Sequence, residues 1–298
     1  MPIIVGVDAG GTSIECAILR DGETALSKGD AANARTAGIE TAAERIAVTA
    51  RGALRGEMFD ALAVGAAGAG DPLVASALEA ALRRFFPNGA ISVRDDAEIA
   101  LRAAVPEGDG AALICGTGSI AYALVDGKAY RAGGYGYLLG DEGSGFAIGR
   151  AALSAMLRWY DGRASHAELF DAIAARLQVD DAQALLGRMY GEGDPVPAVA
   201  AIAPLVLDRA NTGERLATKI VQTAALDLVE LLKALVHRAH VGARELPLVF
   251  AGGLFAENSL LSYLLETRLL ADLPLLQPRK SPPAPVYGAL ELARRMIA

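Results

Sequence analysis

The amino-acid sequence predicts an α/β protein made of two similar halves, with a large helical insertion in the second half. The first observation is a repeated pattern: "VGVDAGGTSIECAILRDG" begins at Val5 and "LICGTGSIAYALVDG" begins at Leu113. Each stretch is an apolar run, a turn of glycine, threonine and serine, a second apolar run and an Asp-Gly turn. The second observation is that residues 166–243 have helical spacing almost throughout.

The first half opens with a hairpin. Ile3–Val7 is a short β-branched run that predicts a buried strand, and Ile14–Leu19 predicts its partner, closed by Asp21-Gly22. The later patterns predict a helix over residues 38–54, a strand in 61–70 that runs into a glycine loop, and a helix over 73–86. The stretch "AISVRDDAEIALRAAV" then predicts a strand that delivers Arg94, Asp95 and Asp96 at its end, followed by a helix.

The second half restarts the same order. Ala111–Cys115 predicts a strand, "GTGS" its turn, and Ile120–Val125 the returning strand. A glycine-rich loop then enters a helix near Gly143, "LPLVFAGGLF" predicts another buried strand, and a proline-rich crossover leads into the last helix. We therefore predict an N-terminal domain of residues 1–110, onto which residues 286–298 pack back, and a C-terminal domain of residues 111–285.

The composition argues against several classes of partner and site. The 298 residues carry a formal net charge of −7 without a basic run, which argues against nucleic acid and anionic membrane as partners. The two cysteines, Cys16 and Cys115, form no C-x-x-C pair, so neither a disulfide framework nor a zinc site is predicted. The N-terminus lacks a signal-peptide pattern and no apolar run reaches about 20 residues, so we expect a cytoplasmic protein.

The glycine turns are candidate phosphate-binding sites. A glycine-rich turn after a buried strand exposes converging backbone N–H groups that can hold phosphate, and threonine and serine hydroxyls add donors. Asp8, just before Gly10-Gly11-Thr12, is placed to hold Mg²⁺, with water between them. Neither turn is a Walker A or G-x-G-x-x-G motif, and one such turn alone also suits an ordinary hairpin. Two duplicated turns are expected to face each other across a cleft, where open α/β sheets bind ligands.

The ordered set of motifs resembles a known superfamily. "VDAGGTS", "ICGTGS", "VFAGGLF" and "APVYGALELA" are similar to the two phosphate loops, the adenosine loop and the connecting helix of actin, sugar kinases and heat-shock chaperones. More closely, "RDDAEIAL", "ICGTGSIAYAL" and "GGYGYLLGDEGSGFAIGR" resemble the N-acetylglucosamine kinase and glucosamine kinase group, which includes the benzoyl-CoA reductase activator ATPases. This resemblance implies two actin-like, ribonuclease H-like ATPase domains, with ATP and Mg²⁺ as cofactors and a small-molecule sugar as substrate. It leaves a homodimer open.

The resemblance also implies roles for individual residues. The aspartate that acts as base on the sugar hydroxyl matches Asp96, and the metal position matches Asp8. Nucleotide-binding positions match Gly10, Gly11, Thr12, Ser13, Gly116, Thr117, Gly252 and Gly253. Sugar-binding positions match Asn33, Asp96, Thr117, Gly134, Tyr135 and Asp141. The kinases of N-acetylglucosamine carry asparagine where this chain has Ile120 and tryptophan where it has Tyr135.

Two carboxylates, Asp95 and Asp96, are adjacent at the end of a predicted strand. Successive strand residues point to opposite faces, so only one is expected to face the ligand, and the motif match favours Asp96. The other would cap the following helix. An ordinary pKa near 3.9 would leave Asp96 ionised at neutral pH without special tuning. For Asp141, just before another helix, capping and sugar binding can coexist.

Two other function classes remain beside a kinase of an amino sugar. One is an ATPase that drives a partner reductase or dehydratase, as the activators do, but these need cysteines for an iron–sulfur cluster that bridges a dimer. The other is a non-catalytic sugar sensor, for which the sequence contains no helix-turn-helix.

Overall fold

The computed structural model describes residues 2–11, 13–34, 37–191, 193–255, 259–279 and 282–298. The chain divides into two compact units. The first comprises the chain up to Ala112, the hairpin tip Leu124–Lys128 and the segment from Arg279 onward. The second comprises Leu113–Ala123 and Ala129–Pro278. In the described part of the chain, no helix combines the length and hydropathy needed to cross a membrane.

Each unit begins with three consecutive strands, which are followed by helices and two further strands. The strands are β1 (Ile4–Ala9), β2 (Ser13–Arg20), β3 (Glu23–Asp30), β4 (Ala61–Ala66), β5 (Ala90–Asp95), β6 (Gly110–Cys115), β7 (Ser119–Val125), β8 (Lys128–Gly133), β9 (Leu246–Ala251) and β10 (Leu276–Arg279). The helices are α1 (Ile39–Leu54), α2 (Pro72–Phe85), α3 (Asp96–Ala104), α4 (Gly145–Tyr160), α5 (Glu168–Leu177), α6 (Ala182–Tyr190), α7 (Pro195–Ala200), α8 (Ala203–Asn211), α9 (Arg215–Arg238), α10 (Leu260–Asp272) and α11 (Pro285–Arg295).

The two sheets repeat one strand order. The first sheet runs β3-β2-β1-β4-β5, and the second runs β8-β7-β6-β9-β10. In the first sheet β1, β4 and β5 are parallel, and β2 is antiparallel to both β1 and β3. The prediction of two similar α/β halves is therefore confirmed. So is the helical insertion, because α4 to α9 lie between β8 and β9.

Three strands and a helix were missed by the sequence prediction. We expected Asp21-Gly22 to close the hairpin of β1 and β2, but this pair joins β2 to β3. Asp21 and Gly22 have φ of 49° and 86°, and Asp126 and Gly127, between β7 and β8, have 51° and 73°. Positive φ at both central residues is what a two-residue hairpin turn needs, so each Asp-Gly pair signals a further strand. Strand β10 and helix α10 were also not predicted.

The first sheet is covered on both faces. Side chains alternate along β1, so Val5, Val7 and Ala9 join one buried cluster while Ile4 joins another. The first cluster contains the apolar faces of α1 and α2, and the second contains Val286, Leu290 and Ala293 of α11. The C-terminal helix thus completes the core of the first unit.

Close packing of α11 depends on glycine. A Cβ on Gly288 would lie 1.9 Å from the carbonyl oxygen of Ile99 and 2.6 Å from the backbone nitrogen of Ala103, both in α3. A Cβ on Gly6 of β1 would lie 2.4 Å from the backbone nitrogen of Leu290. Backbone atoms cannot move aside as flexible side chains can, so these contacts fix how closely the helix approaches.

We expect Gly288→Ala to destabilise the protein by about 1–3 kcal/mol, because the added methyl group separates α11 from α3. The matched control is Gly52→Ala in α1, where an added Cβ would meet no described atom within 4 Å. This change should stabilise by about 0.5–1 kcal/mol, since alanine restricts the unfolded chain. Urea unfolding followed by circular dichroism measures both. Equal effects of the two substitutions would contradict the packing role of Gly288.

Candidate active site

Asp8 lies in the penultimate position of β1, near the edge where the parallel strands end. It is directly opposite Glu15 in the antiparallel pairing with β2 and is partly exposed. Burial, and next the charge of Glu15, raises the pKa of Asp8 to about 6. Lys28 forms an ion pair with Glu15 at 3.0 Å.

Asp96 is the first residue of α3 and follows directly after β5. Burial raises the pKa of Asp96 well above its usual range, assisted by a hydrogen bond with the Asp95 carboxyl group and by the charges of Asp95 and Asp8. The expectation of an ordinary pKa at Asp96 is therefore wrong. The carboxyl ends of β1 and β5 thus bring Asp8 and Asp96 close enough to repel each other.

Asp95 is the residue that caps α3. Its carboxylate accepts a hydrogen bond from the backbone N–H of Ala97 at 3.1 Å. The prediction that one of the two aspartates caps the helix is confirmed. A hydrogen bond also joins the Asp95 and Asp96 side chains, because β5 ends at Asp95 and strand alternation no longer separates the two residues. That Asp96 is the one that faces the ligand stays a prediction.

The glycine turn between β1 and β2 is held by its backbone. The N–H of Gly10 donates to the carbonyl oxygen of Ser13 at 3.0 Å, and the carbonyl oxygen of Gly10 accepts from Ala32 at 3.2 Å. This second bond brings the segment after β3 to the turn. Asn33 Nδ2 consequently lies 3.9 Å from the position a Cβ on Gly11 would take. Thr12 lies outside the described residues.

The corresponding turn of the second unit joins β6 to β7 and meets the start of α4. The carbonyl oxygens of Gly116 and Thr117 accept hydrogen bonds from Gly145 and Phe146 at 2.8 and 3.1 Å. Ser144 caps the same helix, with its hydroxyl accepting from Ala147 at 3.2 Å. The turn is therefore fixed to the first turn of the helix, where free N–H groups would otherwise remain.

Asp141 lies in the loop before α4 and has φ of 59°, in the left-handed region. Its carboxylate accepts from the backbone N–H of Ser119 at 3.4 Å, and it lies against Gly118, where a Cβ would be 2.8 Å from Oδ2. Burial raises the pKa of Asp141, while hydrogen bonds from Ser119 and Gly136 oppose this rise. The helix cap is Ser144, not Asp141.

The loop between β8 and Asp141 carries Gly134 and Tyr135. The Tyr137 ring packs on Phe146 with centroids 5.1 Å apart, whereas Tyr135 is 66% exposed. Gly134 has φ of 71°, and a Cβ there would lie 2.9 Å from Cδ1 of Ile120. Ile120 is therefore a direct neighbour of the loop.

The strand β9 ends next to β6. Gly252 has φ of 104°, and a Cβ there would lie 2.3 Å from the carbonyl oxygen of Cys115. That carbonyl oxygen also accepts from the N–H of Leu254 at 3.3 Å. The double glycine thus lies beside the strand that leads into the Gly116 turn.

Three of the candidate glycines are not required by the fold. At Gly116 and Gly253 a Cβ would meet no described atom within 4 Å, and at Gly11 it would meet only Asn33. None of the three has a positive φ. Neither packing nor backbone conformation demands glycine there, which is also true of Gly52 in α1. Unlike Gly52, these three glycines lie in turns that follow a strand, where the absence of a side chain leaves the backbone open to close approach by a ligand.

Three residues that contact the candidate carboxylates were not predicted from the sequence. Glu15 faces Asp8, Asp95 binds Asp96, and Gly118 makes room for Asp141. Gly118 could have been found, because "GTGS" contains a second glycine that was assigned no role. The other two contacts depend on strand register and on where β5 ends.

A family model described as the BadF/BadG/BcrA/BcrD ATPase family matches residues 5–293. The chain belongs to this family. ATP use follows from this membership, and the resemblance identified from the motifs is confirmed.

The curated relatives of this chain are sugar kinases. It is 32% identical to the N-acetylmuramic acid/N-acetylglucosamine kinase of Clostridium acetobutylicum, over 66% of this chain and 65% of the relative. The match thus spans slightly less than two thirds of that relative's length. Glucosamine kinase GspK of Vibrio cholerae is 30% identical, over 80% of this chain and 82% of the relative.

A solved structure confirms the fold class. The protein from Chromobacterium violaceum, described as an N-acetylglucosamine kinase, superposes with a TM-score of 0.79 at 27% identity, covering 98% of this chain and 99% of that one. The family member therefore has the actin-like sugar kinase fold. The roles of its individual residues stay predictions.

We expect Gly116→Ala to weaken ATP binding at least about tenfold, because a methyl group would occupy space left open for the nucleotide. Its melting temperature should change little, since the added Cβ meets no described protein atom. Calorimetric titration with a non-hydrolysable ATP analogue and thermal unfolding provide the two measurements. The control is Gly52→Ala, which should bind the analogue like the wild type. Unchanged binding by Gly116→Ala would contradict the assignment of this turn to the nucleotide.

Proposed function

We propose that this chain is an ATP-dependent kinase that transfers the γ-phosphoryl group of ATP to a hydroxyl group of an amino sugar. The observation that carries the proposal is the set of glycines that the fold does not require, Gly11, Gly116 and Gly253. Each follows the end of a strand, and Asp96 follows another. Family membership supports ATP as donor, and the names of the relatives support an amino sugar as acceptor.

Asp96 is the proposed base. Phosphoryl transfer asks the protein mainly to position the reactants and stabilise charge, and the hydroxyl proton needs an acceptor as the new P–O bond forms. The carboxylate of Asp96 would orient the sugar hydroxyl and take that proton, while the bond between the γ-phosphorus and the bridging oxygen breaks and ADP leaves. The rigid start of α3 and the bond from Asp95 support a fixed position for this carboxylate.

Asp8 is the proposed residue for Mg²⁺. Magnesium prefers oxygen ligands, keeps several waters and is commonly held by one or two carboxylates plus substrate phosphates. A half-buried carboxylate whose pKa is raised by burial and by Glu15 fits this need for a cation. Among the described residues no three His, Cys, Asp or Glu side chains form a metal site by themselves, so phosphate oxygens and water would complete the shell. When bound, Mg²⁺ would neutralise phosphate charge.

The acceptor side is proposed to involve Asn33, Thr117, Gly134, Tyr135 and Asp141. The exposed ring of Tyr135 and the partly buried carboxylate of Asp141 offer an apolar face and hydrogen-bond acceptors, which suit a sugar. Ile120 touches the same loop and can make only apolar contact. One neutral hydrogen bond is worth about 0.5–1.5 kcal/mol, so its loss changes preference roughly two- to tenfold.

The alternative is an ATPase that drives a partner enzyme, since the family description names an ATPase and no acceptor. That role would need accessible cysteines for a bridging cluster. Both Cys16 and Cys115 are fully buried, and burial raises their pKa values to about 11 and about 12. Buried neutral thiols, one within β2 and one at the end of β6, favour the kinase. Iron found in stoichiometric amount after anaerobic purification would favour the activator instead.

The function is tested by ADP release, coupled to a dehydrogenase, with Mg²⁺-ATP and a panel of sugars. Glucosamine, N-acetylglucosamine, N-acetylmannosamine, N-acetylmuramic acid and glucose form the panel. We expect turnover that depends on an amino sugar, with glucosamine or a differently substituted sugar equal to or better than N-acetylglucosamine because of Ile120. A preference of about tenfold or more for N-acetylglucosamine would show that other residues bind the amide. Turnover indifferent to every sugar would contradict the kinase.

Asp96→Asn should lower kcat at least about a hundredfold, because general-base assistance contributes about 10²–10⁴-fold. Nucleotide affinity should stay near wild type, since the glycine turns are intact. Asp95→Asn is the matched control and should cost far less, because asparagine caps helices as well as aspartate does and can still bond to Asp96. Steady-state kinetics and nucleotide titration decide the result. Equal, modest losses in both variants would mean that neither residue is the base, and Asp141 would be tested next.

A further inference from the structure

A row of three charged side chains crosses the first sheet beside the glycine turn of the first unit. Asp8 of β1 lies directly opposite Glu15 of β2, and Glu15 lies directly opposite Lys28 of β3. Residues paired in this way project from the same face of a sheet, so the three side chains share one face. We call these three residues the charge row.

Asp8 and Glu15 are the last pair of the β1–β2 hairpin on this face before the glycine turn. The pair between them and the turn, Ala9 and Ile14, points into the buried cluster on the opposite face. A phosphate group that approaches the turn from the face of the charge row therefore meets the two carboxylates first.

The carboxylates of Asp8 and Glu15 repel each other. The Cβ atoms of directly opposite residues in an antiparallel pair lie about 4.5–5.5 Å apart, and like charges in this position destabilise a sheet. Burial is the main cause of the raised pKa of Asp8, and the charge of Glu15 is the second. The residue paired with Asp8 on β4 is Gly65, which has no side chain to compensate the charge. Within the described part of the chain, no basic side chain forms an ion pair with Asp8.

Lys28 does not cancel the charge of Glu15. Its ammonium nitrogen lies 3.0 Å from Oε1 of Glu15, but the side chain of Lys28 is 78% exposed and that of Glu15 is 33% exposed. Solvent weakens such a pair until its contribution to stability is small. The fold therefore gains little from a negative charge at Glu15, although this charge lies beside the turn assigned to phosphate.

Building on the proposed ATP site, we propose that Glu15 makes nucleotide binding at the Gly10-Gly11 turn depend on a divalent cation. Its carboxylate adds to the negative potential that attracts a cation to Asp8, and it repels the phosphates of a nucleotide that arrives without a cation. A neutral residue in this position would remove both effects. Glu15 thus selects the metal complex of the nucleotide, which is the form that phosphoryl transfer uses, and it acts through the cation rather than as a catalytic residue.

Calorimetric titration with a non-hydrolysable ATP analogue at low ionic strength tests the proposal, once with excess Mg²⁺ and once with EDTA. The wild type should bind the analogue at least about tenfold more tightly with Mg²⁺. Glu15→Gln should bind at least about threefold more weakly than the wild type with Mg²⁺ and at least about threefold more tightly in EDTA. The two changes have opposite signs because the lost charge attracts the cation but repels free phosphate. Glu15→Asp keeps the charge and should retain the wild-type ratio of the two affinities.

Glu23→Gln is the matched control, because it removes one negative charge from an exposed residue of β3 that lies about 17 Å along the strand from Lys28. It should bind the analogue like the wild type in both media. An unchanged ratio of affinities in Glu15→Gln would overturn the proposal. Equal weakening in both media, with a lower melting temperature, would also overturn it, because Glu15 would then have only a structural role. A wild type that binds the analogue in neither medium would overturn the proposed function itself, and this role with it.

Discussion

The chemistry proposed for the first unit depends on two desolvated carboxylates, Asp8 and Asp96, at the edge where parallel strands end. Each is destabilised as an anion by burial, and the charge of Asp8 adds to the cost at Asp96. A protein would not keep such a pair for stability alone, because burying unpaired negative charge is unfavourable. Under the proposed function, a cation at Asp8 and a sugar hydroxyl at Asp96 would compensate this cost.

Neighbouring elements hold the strands, turns and helices that carry the candidate residues. The C-terminal helix α11 packs on β1 and α3 through Gly6 and Gly288, so the elements that carry both carboxylates are fixed by one buried contact region. In the second unit, α4 begins by donating hydrogen bonds to the Gly116 turn, and Asp141 is bound to Ser119 at the start of β7. Duplication of one strand order therefore produces two turns that are held differently, one by strand pairing and one by a helix.

Much of this architecture follows from the sequence, because long apolar runs ending in glycine define the buried strands. Strands β3 and β8 were missed because neither contains an apolar run, and β3 is mostly exposed. The Asp-Gly turn before each of them nevertheless indicates a further strand. The relation of Asp95 to Asp96 could not be predicted, since it depends on β5 ending one residue before strand alternation would separate them. Likewise the raised pKa of Asp96 depends first on burial, then on Asp95 and last on the charge of Asp8, and only the folded sheet produces this burial and brings Asp8 near. The glycine positions were recognisable, but open space at Gly116 and Gly253, against crowding at Gly252, required coordinates.

The central claim is that the phosphoryl group of ATP is transferred to a sugar. Phosphorus NMR of a completed reaction with Mg²⁺-ATP and an amino sugar tests it most directly. The spectrum distinguishes phosphate bonded to a sugar oxygen from inorganic phosphate. The account predicts equal amounts of ADP and a sugar phosphomonoester, with no more inorganic phosphate than in a reaction without enzyme. ADP together with an equal amount of inorganic phosphate, and unmodified sugar, would contradict it and would identify an ATPase instead.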